Sequence, residues 1–163
     1  MAEKVTTWDN GFTIEYNDFV PMLLTTVIVE SEMNPSVKLE IKAIWDTGSH
    51  FTIINPKIAE ELNLICVSKT TLNGIFGKTE ISNMYTLNMY LPNKDKHNII
   101  VTEAHPKGCD MLIGMDIISK GDFAISFFEN KTTFSFRYPS IEKIDFYPRG
   151  FSPSEPTENE VKE

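Results

Sequence analysis

An alternation of apolar and charged side chains that runs into a polar turn constrains this chain more than any other feature. Apolar side chains occupy every second position of Val37–Trp45, and charged side chains stand between them at Lys38, Glu40 and Lys42. Because successive side chains of a β-strand point to opposite faces, a period of two predicts a strand with one buried and one solvated face. The strand is predicted to end at Asp46, where the turn Asp46–Ser49 begins.

Most of the remaining chain also favours short strands. Apolar residues alternate again in three segments, and a fourth is rich in β-branched residues, with turn-forming residues between the segments. These segments are Phe12–Tyr16, Tyr85–Leu91, Phe134–Tyr138 and Pro21–Glu30. The pattern predicts a mainly β fold.

Two short helices are expected in addition. Asn55 is a good N-cap and Pro56 suits the first helical position, so one helix is predicted to follow the turn at Asp46–Ser49. A second is predicted over Met115–Lys120, with Asp116 as its N-cap and Gly121 as its left-handed stop.

Size and charge exclude several classes of protein. The chain has 163 residues, of which 41% are hydrophobic, and a formal net charge of -8. Nucleic acid and anionic membrane are not expected as partners, since both require clustered Lys and Arg. No apolar stretch approaches the roughly 18–20 residues needed to span a bilayer. The first residues lack the apolar core of a signal peptide, so a cytoplasmic location is expected.

No metal or cofactor is expected either. The three histidines are scattered, and Cys66 and Cys109 lack the spacing of a metal pair. In a reducing compartment, we expect both thiols to be free.

The turn carries one carboxylate between two apolar runs. Asp-Thr-Gly alone is weak evidence for an active site, because it is also an ordinary turn sequence. Two features downstream add to it. Asp110–Ile118 reads as an apolar strand that runs into a glycine and a short helix. Asn73–Gly77 has two glycines around an apolar pair, which suits either a mobile hairpin that closes over a substrate or an ordinary tight hairpin.

In combination, these segments resemble the retropepsin-like aspartic proteases, the dimeric relatives of pepsin, and most of all a bacterial branch of that family. The resemblance spans Phe12–Tyr138. It rests on Trp45-Asp46-Thr47-Gly48, Leu112-Ile113-Gly114-Met115-Asp116-Ile117-Ile118, Gly121-Asp122-Phe123-Ala124-Ile125 and Thr133-Phe134-Ser135-Phe136-Arg137.

The resemblance implies a closed β-barrel with one or two short helices and an active site at a homodimer interface. It implies a protease domain over residues 12–150, preceded by an extension over 1–11. From Phe151 on, Pro153, Pro156 and a run of acids predict an acidic, disordered tail over 151–163. Asp46 would be the catalytic residue, supported by Thr47 and Gly48. The residues expected to contact substrate are Ser49, His50, Leu112, Ile113 and the hairpin residues Gly74, Ile75, Phe76 and Gly77.

The reaction requires two copies of the motif. Two carboxylates about 3 Å apart can share one proton and act as base and acid on a water molecule. The chain has one such turn and no internal repeat, so the second carboxylate must come from a second copy across a two-fold axis. We therefore predict a homodimeric aspartic endopeptidase that acts on a peptide or protein substrate.

Two positions depart from the retroviral pattern. His50 stands where retroviral enzymes commonly carry an acid, and Met115 stands where they carry an arginine. The Arg–Asp pair that braces the retroviral dimer is therefore missing. Two alternatives stay open: a peptide-binding or scaffold dimer of the same fold with weak or no catalysis, and a monomer in which the motif is only a turn.

Overall fold

The computed structural model describes residues 3–73 and 79–146. In these ranges the chain forms eleven strands and two short α-helices. In chain order the elements are β1 Glu3–Trp8, β2 Gly11–Tyr16, β3 Leu24–Glu30, β4 Lys38–Trp45, β5 Ile53–Ile54, α1 Pro56–Glu61, β6 Ser68–Asn73, β7 Thr79–Tyr90, β8 Lys96–Glu103, β9 Met111–Ile113, α2 Met115–Ile118, β10 Asp122–Ser126 and β11 Thr133–Arg137.

Six of these strands close into a barrel. They follow the order β3-β4-β9-β5-β8-β7, and β3 pairs with both β4 and β7, which closes the ring. The pairs β4–β9 and β5–β8 are parallel. β6 continues the sheet beyond β7. This confirms the predicted mainly β fold with a closed barrel and two short helices.

A second sheet of four antiparallel strands, in the order β1-β2-β11-β10, meets the barrel through an aromatic cluster. Trp45, the last residue of β4, lies at its centre. Its ring packs against Phe134 and Phe136, with centroid distances of 5.2 and 4.6 Å. Its indole N–H donates to the hydroxyl of Thr25 at 2.9 Å. The residue that precedes Asp46 is therefore fixed in the core.

The local predictions around the turn hold well. In β4 the side chains of Lys38, Glu40 and Lys42 are exposed, whereas those of Ile41, Ala43 and Trp45 are buried. This is the alternation predicted from the sequence. Asn55 caps α1 as predicted, because its side-chain oxygen accepts the backbone N–H of Lys57 at 3.1 Å, and Pro56 occupies the first helical position.

The prediction for the second helix was partly wrong. α2 ends at Ile118, and Gly121 does not take a left-handed conformation. A Cβ atom at Gly121 would lie 2.4 Å from the carbonyl oxygen of Arg137. The absence of a side chain there allows β11 to pass close to the chain that leaves α2.

Several expectations concern the ends of the chain and its compartment. β1 lies within the segment expected as an N-terminal extension and pairs with β2 along its length. The acidic tail lies outside the described residues. Cys66 and Cys109 are both free, as predicted. No helix in the described part of the chain has the length and apolarity to cross a membrane.

Candidate active site

Asp46 follows β4 directly, at the point where that strand meets β9. Its backbone N–H donates to the carbonyl of Ile113 at 2.9 Å, one residue beyond the β4–β9 ladder. One carboxylate oxygen, Oδ1, accepts the backbone N–H of Gly48 at 2.8 Å. The N–H of Ser49 closes the turn on the carbonyl of Asp46 at 3.2 Å. Asp46 is half-buried, and its own turn orients its carboxylate.

The start of α2 braces this turn from a distant part of the sequence. The N–H groups of Met115 and Asp116 donate to the carbonyls of Ser49 and His50, at 2.8 and 3.2 Å. Gly114 allows this approach, because a Cβ atom there would lie 2.5 Å from the carbonyl oxygen of the residue after His50. The apolar-glycine step predicted from the sequence therefore lies directly against the turn.

Thr52 links the same two segments through its side chain, and the sequence reasoning did not identify it. The residue is fully buried. Its hydroxyl accepts the backbone N–H of Gly114 at 3.2 Å and donates to Oδ1 of Asp116 at 2.8 Å. A polar residue inside the apolar run Phe51–Ile54 is the signal that could have marked it.

The prediction that Asp116 caps α2 was wrong. The N-cap is Gly114, and Asp116 lies in the first turn of the helix with its carboxylate on the Thr52 hydroxyl. Asp116 therefore connects the helix to the chain that leaves the turn, and its carboxylate is not a second copy of the Asp46 motif within the subunit.

The other predicted site residues differ in how exposed they are. Thr47, Gly48 and His50 are exposed on the turn, while Ser49 is half-buried and its hydroxyl donates to the carbonyl of Phe51 at 2.7 Å. Leu112 is half-buried.

Two further predictions concern the walls of the cleft. Ile113 is completely buried, so it supports the turn from below and offers no surface to a substrate within this chain. Gly74, Ile75, Phe76 and Gly77, the predicted covering hairpin, lie outside the described residues.

One further residue near Asp46 was not predicted. The N–H of Trp45 donates to the carbonyl of Leu23 at 3.1 Å, which extends the β3–β4 ladder by one residue. The Met22 side chain, next to Leu23 in the chain, is 56% exposed.

A second buried carboxylate, Glu30, has a structural role. Lys38 and Lys96 form ion pairs with it at 2.9 and 3.1 Å, and the Tyr90 hydroxyl donates to it at 2.7 Å. The hydrogen bond from Lys38 is the largest cause that lowers the pKa of Glu30 to about 2. A carboxylate held ionised by two ammonium groups at the β3–β7 closure stabilises the barrel and is a poor proton carrier.

The described residues contain no group of three or more His, Cys, Asp or Glu side chains that could hold a metal ion. Among the described residues of one chain, the turn carries a single oriented carboxylate, that of Asp46. Such a group can accept or donate one proton, whereas peptide hydrolysis by water needs a base and an acid together.

Solved structures with a similar fold are known. A retropepsin-like aspartic protease from Rickettsia conorii aligns with a TM-score of 0.53 and 14% sequence identity, covering 82% of this chain and 98% of that one. The EIAV protease in complex with the inhibitor HBY-793 aligns with a TM-score of 0.44 and 17% identity over 64% and 90% of the two chains. The retroviral protease-like domain of Ddi1 from Leishmania major gives 0.46 and 18% over 73% and 94%.

The last two likenesses are too distant to support an inference. No protein-family model and no curated protein matches the chain. The Rickettsia conorii structure is matched over almost its whole length, and identity at this level establishes the fold alone. The resemblance inferred from the motifs is confirmed at that level: the chain has the fold of the retropepsin-like aspartic proteases.

Proposed function

We propose that this protein is an aspartic endopeptidase that works as a homodimer, with Asp46 of each subunit as the catalytic pair. The observation that carries the proposal is the carboxylate of the half-buried Asp46, which accepts the Gly48 N–H at 2.8 Å on a turn braced by β9 and α2. The barrel fold is the one expected to carry such a turn, and each chain supplies one of the two carboxylates that the reaction needs.

In the proposed reaction, a water molecule is held between the two Asp46 carboxylates. The ionised carboxylate takes a proton from the water as its oxygen attacks the peptide carbonyl, and the protonated one donates to the carbonyl oxygen. As the C–N bond of the resulting tetrahedral intermediate breaks, the carboxyl group that took the proton from water gives it to the amine nitrogen, and the other carboxylate recovers a proton from a hydroxyl of the intermediate. Because like charges this close cannot both ionise, the two apparent pKa values belong to the pair.

The neighbouring residues take supporting roles in this proposal. Thr47, exposed on the turn, would bond across the two-fold axis, and Gly48 would orient the Asp46 carboxylate through its N–H. Ser49, His50 and Leu112 would contact the substrate beside the turn, and residues 74–77 would cover it. Leu112, the apolar member of this set, favours apolar side chains at the cleaved bond.

The direct test is Asp46→Asn assayed for cleavage of apolar peptides between about pH 4 and 7. Asp9→Asn is the matched control, because Asp9 is an exposed carboxylate on the turn between β1 and β2. We expect activity to be lost in the first variant and kept in the second. Cleavage that survives Asp46→Asn would exclude the proposal.

Mixing the wild type with Asp46→Asn tests whether two subunits share one site. If subunits exchange freely and a mixed dimer is inactive, a ninefold excess of the variant leaves about one tenth of wild-type subunits in active dimers. Activity per wild-type subunit should therefore fall about tenfold. An unchanged value would mean that each chain acts alone.

The departures at His50 and Met115 favour one alternative, a dimer of the same fold that binds peptides without efficient catalysis. A catalytic pair binds a statine-type transition-state mimic much more tightly than a plain peptide of equal length. Equal affinities, together with no detectable cleavage by the wild type, would favour the binding protein.

A further inference from the structure

We propose that the free edge of β8, where it faces the end of α2, binds an extended acidic peptide of a partner protein, which adds to β8 as a further strand. The site contains no residue of the Asp46 turn and does not depend on the chemistry proposed for that turn. It is built by three segments that are distant in sequence: the start of β8, the end of α2 and the residue that follows β11.

A cavity of about 320 Å³ lies between these three segments. Its lining comes from residues 95–99, from Ile117 and Lys120 at the end of α2, and from Tyr138. Because neighbouring residues of a strand point to opposite faces, a cavity lined by consecutive residues of β8 lies along the edge of that strand. Pockets that hold ligands have volumes of about 300–1,000 Å³, so a short peptide segment has room here.

The edge of β8 that borders the cavity has no partner strand in the part of the chain that the structure describes. β8 pairs with β7 along one side, and on the other side its last two residues pair with β5. The N–H of Thr102 donates to the carbonyl of Thr52 at 2.9 Å, so every second residue of β8 from there points its N–H and C=O away from β7. The backbone groups of Lys96 and Asn98 therefore face the cavity, and no described protein group bonds to them there.

The side chains of these two edge residues are held on the other side of β8. The ammonium group of Lys96 pairs with Glu30 at 3.1 Å. The amide of Asn98 donates to Asn88 at 3.2 Å and also to Glu32. Natural sheets protect exposed edges with charged side chains. Here the charge is used within the sheet, so the backbone of the edge stays accessible from the cavity.

The opposite wall of the cavity offers a positive charge and a hydroxyl. Among the described residues, Lys120 has no ion-pair partner and the hydroxyl of Tyr138 has no hydrogen-bond partner. The backbone of this wall is fixed. The carbonyl of Lys120 accepts the N–H of Ser140 at 3.1 Å, and the N–H of Tyr138 donates to the carbonyl of Asn10 at 2.8 Å. The wall is therefore held in place before any ligand binds.

The charges around the cavity favour an acidic ligand. The lining has two ammonium groups, those of Lys96 and Lys120, and one carboxylate, that of Asp95. The carboxylate already accepts the side-chain amide of Asn93 at 2.7 Å. A strand edge presents alternating N–H and C=O groups, which another extended backbone complements, and Lys120 adds a contact for a carboxylate. An extended peptide with acidic side chains satisfies both requirements.

His97 provides an internal reporter for this site. Its ring lines the cavity and packs edge-on against Tyr138, with centroids 4.7 Å apart. Burial is the main cause that lowers the pKa of His97; the charge of Lys120 lowers it further, and that of Asp95 opposes both. A carboxylate that binds Lys120 therefore changes the surroundings of this ring, which the imidazole NMR signal detects.

The test is a titration with the peptide acetyl-Glu-Val-Glu-Val-Glu-amide, followed through the imidazole NMR signals. The protein carries Asp46→Asn, so that the chemistry proposed for the turn does not consume the peptide. We expect the His97 signal, assigned by its absence in His97→Gln, to move and the signals of His50 and His105 to stay. A His97 signal that does not move at millimolar peptide, or movement of His50 alone, would overturn the inference.

Matched peptides separate backbone pairing from charge. Two versions of the peptide, one N-methylated at the valines and one at the glutamates, keep the same charge. Only one of these sets of N–H groups faces β8 in an added strand. We therefore expect one methylated peptide to bind about tenfold more weakly than the parent and the other to bind like it. Equal binding of all three peptides would exclude strand addition.

Matched variants test the charge on the opposite wall. Lys120→Gln should weaken binding of the parent peptide about tenfold, because it removes a charged hydrogen bond. Lys131→Gln is the control, since Lys131 is an exposed lysine between β10 and β11, and it should leave binding unchanged. Equal affinities of the two variants would overturn the role of Lys120.

Two other occupants would give different results. If a second copy of this chain fills the edge, Lys120→Gln will change the dissociation constant of the dimer in sedimentation, which would overturn an external peptide. The chain's own acidic segment is tested by Glu158→Gln with Glu160→Gln in the full-length protein. A His97 signal that moves in this variant without added peptide would identify that segment as the occupant and would also overturn an external partner.

Discussion

Replacing Thr52 with valine should uncouple the Asp46 turn from the helix that braces it. Valine has nearly the shape of threonine but no hydroxyl. The change removes the acceptor of the Gly114 N–H, at 3.2 Å, and the donor to Asp116, at 2.8 Å, at a side chain with no solvent exposure. A buried N–H without a partner costs about 1–3 kcal/mol. In the variant, water can hydrogen-bond to the carboxylate of the half-buried Asp116. The free energy lost with the Thr52–Asp116 hydrogen bond is therefore at the low end of the usual range for a hydrogen bond to a charged group.

Together these losses amount to about 2–4 kcal/mol in the free energy of unfolding. For a chain of this size, that corresponds to a fall in Tm of roughly 4–16 °C. Urea unfolding at one fixed protein concentration measures the effect, because dimerisation would otherwise change the apparent stability. Peptide cleavage by the same variant should fall more than its stability explains, since the turn that orients Asp46 loses its brace.

Thr52→Ser is the matched control. It keeps the hydroxyl and removes one methyl group, at a cost of about 1 kcal/mol. If valine and serine destabilise the protein equally, the hydroxyl does not hold the two segments together and the reasoning fails.

Three further predictions test the fold around the site. Gly114→Ala should cost about 1–3 kcal/mol and reduce activity, because its Cβ would lie 2.5 Å from the Phe51 carbonyl oxygen; full activity and stability would contradict this contact. The pKa of Glu30 is lowered from 4.5 to about 2, so its stabilisation is present above pH 4.5 and lost as the pH falls towards 2. Glu30→Gln should lack that loss in acid unfolding curves. Burial lowers the pKa of His97, which packs against Tyr138. Because unfolded chains gain the proton first, the wild type should lose stability as the pH falls through 6.5. Urea unfolding at pH 7 and 5.5 should show this loss in the wild type and not in His97→Gln.

Local sequence patterns predicted the elements next to the site. The alternation in Val37–Trp45 depends on the two-residue period of a strand, and the Asn55 cap depends on the hydrogen bond of one side chain to a backbone group two residues later. Both signals act over a few residues, so both were readable without the tertiary structure. The Leu112-Ile113-Gly114 step was predicted because an apolar strand, a glycine and a helix follow one another directly.

The same reasoning failed where the partner is distant in sequence. Asp116 was assigned a local cap, and its carboxylate in fact bonds to Thr52, 64 positions away. Gly121 was assigned a left-handed stop, and its lack of a side chain in fact admits the Arg137 carbonyl. In both cases the residue type indicated a special structural role. The contact itself depends on how distant segments pack against each other, which local sequence patterns do not determine.

By itself, the sequence determined that a β-strand ends in a turn with one carboxylate, and that a chain with one such turn needs a second copy to perform two-carboxylate chemistry. The tertiary structure decided how that turn is held, through Gly114 and Thr52. The physical reason is range: periodicity and capping are fixed by neighbours along the chain, whereas the Gly114–Thr52 contact joins residues 62 positions apart and exists only once the barrel has closed.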